Sequence, residues 1–157
     1  IKNRSLTALI NVTDGAHPNW IVIIIALNIM KTLLFILLSF IAITATVSGI
    51  LMISQPDGSI LKLKPELLAG SPFSNYLVPG ILLACVVGVV NLVAVFLNMM
   101  RHRQRYNAAI AGGAVIITWI LVQVMMIGTI HWLHILYFSA GILVVLGAYQ
   151  LKGRWAV

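Results

Sequence analysis

Four long apolar runs, parted by short polar segments, constrain this chain more than any other feature. A helix needs about 20 mostly apolar residues to cross a bilayer, and the spacing predicts crossings over residues 32–54, 77–98, 108–130 and 135–151. Composition agrees, with 61% hydrophobic and 8% charged residues. Soluble domains carry about 45–50% and about 25%. A chain of 157 residues has no interior large enough to hide that surface from water, so lipid has to cover it. The expected fold is an all-α membrane protein, a four-transmembrane-helix bundle with a short apolar outer-loop helix.

The first run is the hardest to divide. From Trp20 to Ser54 only Asn28 and Lys31 interrupt it, which is too long for one upright helix and too short for two. In one reading residues 20–30 lie at the membrane surface, Lys31 sits among the headgroups, and 32–54 cross. In the other the helix starts near Trp20 and buries Lys31, at a cost of about 2.5–3.5 kcal/mol. The first is preferred. Met30-Lys31 also resembles a start, which makes residues 1–30 an extension on a core of 31–151, followed by a basic tail, 152–157.

The one sizeable loop joins the first two crossings. Pro56-Asp57-Gly58 reads as a tight turn, with Gly58 supplying a positive φ. Pro65 to Gly70 reads as a short helix with Pro first and Gly past its end. Ser71-Pro72-Phe73 reads as a second helix start capped by Ser71. Leu67, Leu68, Phe73 and Tyr76 make the loop apolar enough to fold back as a cap over the bundle.

Basic residues set the orientation. Of ten Lys/Arg, eight (Lys2, Arg4, Lys31, Arg101, Arg103, Arg105, Lys152 and Arg154) fall on one side, and Lys62 and Lys64 on the other. By the positive-inside rule both termini are cytoplasmic. The net charge of +7 is thus a topology signal and not a nucleic-acid surface. Arg101, Arg103 and Arg105 are anchors of this kind, and the alternative is that they contact anionic lipid headgroups.

Groups that could carry chemistry are few. No carboxylate falls within an expected crossing, which argues against a proton-coupled exporter, and no phosphate loop, HExxH motif or paired acids occur. No enzyme activity and no cofactor are expected. His131 and His134 could present two imidazoles on one helical face, yet a metal site takes three or four ligands, and Asp57 or Glu66 would have to supply the others. Cys85 is the sole cysteine, so an internal disulfide is ruled out. Asn91 and Gln123 are the deepest strongly polar residues. Thr118 is expected near the level of Asn91 and is its expected partner. Either these groups tie helices together, or, with Trp119, they line a cavity for a small neutral or lipophilic solute. Small residues four apart (Gly80/Ala84/Gly88, Ala109/Gly113, Ala45/Gly49, Thr44/Ser48) suit close helix contact, within the bundle or between copies.

The outer-loop pattern Pro56-Asp57-Gly58-Ser59, then Gly70-Ser71-Pro72-Phe73 and Pro79-Gly80, with Arg101-His102-Arg103 and Trp119-Ile120-x-x-Gln123 after it, resembles a family of small bacterial four-helix integral membrane proteins. The resemblance covers about residues 30–151 and implies topology and an inner-membrane location, but no activity. The expectation is therefore a structural or accessory protein in the lipid bilayer, working with a membrane partner or as a homo-oligomer. Solute transport or binding is the alternative.

Overall fold

The structure, a computed structural model, describes residues 19–153. Four helices are long and apolar enough to cross a membrane: α1 Asn19–Ser54, α2 Leu77–Met99, α3 Arg105–Ile127 and α4 Trp132–Gly153. A 3-10 turn, Pro65–Leu68, lies in the loop after α1, and no strand occurs among the described residues. The protein is an all-α four-helix bundle. Helices α2 to α4 begin and end within three residues of their expected bounds. Residues 1–18, with Lys2 and Arg4, and the tail from Arg154 lie outside the described residues.

The first helix combines the two readings of its run. It is continuous from Asn19, with no break before Lys31. At 1.5 Å per residue, Lys31 lies about 35 Å from Ser54, and α2 is about 33 Å long. Lys31 is thus level with the ends of the other helices rather than midway along them. The surface lead-in expected over 20–30 is instead helical overhang, about 18 Å of it, with Trp20, Val22, Ile25 and Ile29 each more than half exposed. No Gly or Pro lies between Asn19 and Lys31 to break the helix, and Thr32 Oγ1 donates back to the Asn28 carbonyl at 3.0 Å.

The helices run up and down around a square. Each packs against its sequence neighbours, α4 closes against α1, and α2 and α4 stand on opposite corners without touching. Phe40 and Tyr137 stack across the closing seam, with ring centroids 5.6 Å apart. Leu38, Ile41, Val87, Val144 and Leu151 are completely buried between the helices. The faces outside this core are apolar too, as expected where lipid is the solvent.

Between lipid-bathed helices no hydrophobic effect drives association, so close contact of small residues has to serve. The structure buries the rows Gly80/Ala84/Gly88, Ala109/Gly113 and Ala45/Gly49 inside the bundle, while Thr44 and Ser48 are half-buried. A Cβ on Gly49 would lie 2.6 Å from the Ala84 amide nitrogen and 2.7 Å from the Gly80 carbonyl oxygen. Gly113 and Gly141 face each other between α3 and α4, where a Cβ on Gly113 would meet the Gly141 oxygen at 2.9 Å.

The sequence reading missed one feature of α2: residues Leu83–Gly88 wind as a π-helix, with the Val89 N–H donating to the Ala84 carbonyl five residues back. Buried positions here come in pairs, 79/80, 83/84 and 87/88. A four-residue step overshoots an α-helical turn by about 40°, which would carry the row away from α1. The wider π turn holds it in place.

Candidate functional site

Asn91 is the deepest strongly polar side chain and is completely buried. It stands eight residues from the Met99 end of α2, while Gly112 stands seven from the Arg105 start of α3. The antiparallel helices therefore bring the two level. Asn91 Nδ2 donates to the Val87 carbonyl at 2.9 Å and to the Gly112 carbonyl at 3.3 Å. Its Oδ1 has no N–H or O–H partner. It lies 2.6 Å from where a Cβ on Gly112 would stand, so a glycine Cα–H faces it. Such Cα–H···O contacts recur at helix interfaces. The same device joins α1 to α2, where buried and unpartnered Thr46 Oγ1 lies 2.5 Å from the Cβ position of Gly88.

This corrects the expected partner of Asn91. Thr118 is exposed on the outside of α3, because six residues carry it about 240° around the helix from Gly112, which faces Asn91. It also stands about 9 Å nearer the loop end than Gly112, whereas Asn91 is level with Gly112 and Gly113. Trp119 is half-buried and packs against the core. Gln123 is half-buried, about 16 Å nearer the loop end than Gly112. The polar residues expected together are thus dispersed. Two hollows open on the outer surface, one lined by Leu92, Val93, Val95, Phe96 and Met99, the other by Asn28, Ile29, Thr32, Leu33 and Ile36. Neither reaches Asn91 or Gln123.

The loop between α1 and α2 is organised by Tyr76. Its backbone N–H donates to the Pro56 carbonyl at 2.8 Å, and its hydroxyl donates to the Lys64 carbonyl at 2.6 Å. The ring closes over Gly58, which has φ +79° and no room for a Cβ, whose position is 2.9 Å from the ring. Asp57 Oδ1 accepts from the Ser59 N–H at 3.1 Å and from the Ser59 hydroxyl at 2.9 Å. These bonds hold the Asp57 carboxyl below its usual range. Gly70 abuts the Met126 carbonyl, 2.8 Å from its Cβ position, which seats the loop on the end of α3. Of the expected plug, Tyr76 is buried, while Leu67, Leu68 and Phe73 are half-buried.

Ser71 does not start a helix. Its hydroxyl donates to the Leu68 carbonyl at 2.9 Å and accepts from the Phe73 N–H at 3.2 Å, a local turn around Pro72. The N-cap residue of α2 is Tyr76, which makes no side-chain cap bond, and the residue before it, Asn75, accepts the Leu77 N–H on Oδ1 at 3.1 Å.

Burial, and then the nearby Glu66 carboxylate, push the Tyr76 phenol above its ordinary value. A raised pKa means that the phenol favours folding fully below about pH 10, a contribution lost as pH rises through the folded value. Tyr76→Phe should cost about 1 kcal/mol and speed exchange of the backbone amide at position 76. Relative to the base-catalysed intrinsic rate, wild type should lose the same protection as pH rises through the raised phenol value, and the protection of Tyr76→Phe should stay constant.

His131 and His134 are engaged in capping. The His131 N–H donates to His134 Nδ1 at 3.1 Å, and the His134 N–H donates to the His131 carbonyl at 3.0 Å. The imidazole does here what Glu or Gln does in a capping box. Among the described residues no three His, Cys, Asp or Glu side chains gather as metal ligands, so Asp57 and Glu66 do not complete a site with the pair.

At the opposite end, α2 stops in a Schellman motif, with Arg101 N–H donating to the Asn98 carbonyl at 3.1 Å and His102 N–H to the Leu97 carbonyl at 2.9 Å. Arg101 occupies the left-handed position, φ +52°, where Gly is the usual residue and another residue costs about 1–2 kcal/mol. Asn98 Nδ2 bridges the turn to the Arg105 carbonyl at 3.3 Å. His102 Nδ1 accepts from the Gln104 N–H at 3.2 Å. The Arg105 guanidinium lies 4.6 Å from the Tyr106 ring centre. Arg101 and Arg103 are exposed.

No family model matches this chain, and neither a curated protein nor a solved structure matches it.

Proposed function

We propose that this chain is a non-catalytic multipass protein of a bacterial inner membrane, with both termini in the cytoplasm. Its role is structural or accessory, exercised through a membrane protein partner or further copies of itself. The observation that supports this reading is the use of Asn91. The deepest polar group directs both amide hydrogens to backbone carbonyls and sits flush on Gly112, which leaves it no free donor for a solute. Orientation rests on charge: Lys31, Arg101, Arg103, Arg105 and Lys152 share one end, and Lys62 and Lys64 the other.

Native mass spectrometry of protein extracted with its surrounding lipid tests the assignment. The expected spectrum contains lipids and protein subunits only. A stoichiometric small molecule that disappears on Asn91→Leu would sink the accessory role in favour of solute binding. In a Cys85→Ala background, an impermeant maleimide should label Ser59→Cys from outside the cell and spare Gln104→Cys. The reverse pattern would invert the topology.

A further inference from the structure

The loop between α2 and α3 is held in one shape at some cost to the backbone. The Schellman bonds of Arg101 and His102, the Asn98 bridge to Arg105 and the His102–Gln104 contact fix it from four sides. Within it Arg101 takes the left-handed conformation that glycine would adopt without strain. A strained residue that the surroundings hold in place points to its side chain as the reason for its presence. That side chain is exposed, as is Arg103 two residues on. Among the described residues no acid stands at this end: Asp57 and Glu66 both belong to the loop at the far end. The turn follows directly on α2, a helix of membrane-crossing length, which suits it to the headgroup layer.

We propose that this turn is a binding site for the phosphate headgroup of an anionic phospholipid, with Arg101 and Arg103 as its ligands. A guanidinium offers a planar fork of donors that matches two phosphate oxygens, and a preformed turn gives up little freedom on binding. Arg105, stacked on Tyr106, borders the site and stiffens it. The site goes beyond a topology anchor, because a positive-inside signal requires charge and not a particular backbone shape.

The test uses the full chain in mild detergent, titrated separately with dioleoylphosphatidylglycerol, dioleoylphosphatidylcholine and inorganic phosphate. Native mass spectrometry reads the bound lipid, and a thermal melt reads the fold. Wild type should retain phosphatidylglycerol in preference to phosphatidylcholine. Arg101→Gly should weaken phosphatidylglycerol binding about fivefold, the equivalent of about 1 kcal/mol per basic residue near an anionic surface. Its lipid-free melting temperature should stay the same or rise, since glycine relieves the strain. Arg103→Gln, at a position without a positive φ, should weaken binding similarly. The proposal is overturned if Arg101→Gly binds phosphatidylglycerol as wild type does, or if its melting temperature falls in step with binding. It is equally overturned if millimolar inorganic phosphate displaces the lipid, which would make the ligand a soluble anion.

Discussion

Gly49→Val is expected to open the seam between α1 and α2. The first added carbon would meet the Ala84 nitrogen at 2.6 Å, the Ala84 Cβ at 2.7 Å and the Gly80 oxygen at 2.7 Å. Two of these are backbone atoms and the third is a Cβ, so no rotamer change relieves the overlap and the helices must part. Overpacking of this kind costs about 1–3 kcal/mol, and the upper end applies where nothing flexible can yield. The loss should be read as a lower unfolding midpoint in mixed micelles. Gly147→Ala in α4 is the matched control. No atom lies within 4 Å of its Cβ position, and alanine in a helix should be neutral or stabilising by up to about 1 kcal/mol. Equal effects at the two positions would mean that the small-residue seam does not hold the bundle.

Asn91→Asp should cost still more at neutral pH. The exchange keeps size and shape but removes the donor that serves the Val87 and Gly112 carbonyls. An ionised carboxylate would then face two carbonyl oxygens inside the bundle, and an uncompensated buried charge costs about 3–5 kcal/mol. Protonation restores one donor, so the deficit should be smaller at pH 5 than at pH 8. Unfolding at the two pH values measures it. By comparison, an interhelical hydrogen bond in a membrane protein contributes about 0.6 kcal/mol on average. A variant as stable as wild type at pH 8 would show that water reaches Asn91, and the accessory assignment would lose its main support.

Much of this architecture was legible from residue chemistry alone. Crossing length and punctuation located the helices, Pro65 and Pro79 marked helix starts, and Gly58 marked a left-handed turn. What escaped notice depends on distances between helices. Depth along the chain paired Asn91 with Thr118, which stands about 9 Å from the level of Gly112 and about 240° around α3 from it. The π winding of α2 follows from keeping a four-residue row against α1 and has no local signature. The strain at Arg101 was hidden because a basic residue after an apolar run looks the same whether its backbone is relaxed or left-handed. Likewise His131 and His134 suggested ligands, although three-residue spacing at a helix start also suits a cap.

The overhang of α1 gives this protein two hydrophobic lengths instead of one. Helices α2, α3 and α4 fit an apolar layer of about 30 Å, whereas the apolar stretch of α1 extends for about 50 Å. A flat slab can match only one of them. A uniform tilt does not reconcile them, since any lean that submerges Trp20 leans the three packed helices as well. The membrane boundary around this molecule is therefore stepped, and its detergent belt should be lopsided, thickest beside α1. Small-angle neutron scattering with contrast-matched detergent would see that asymmetry directly.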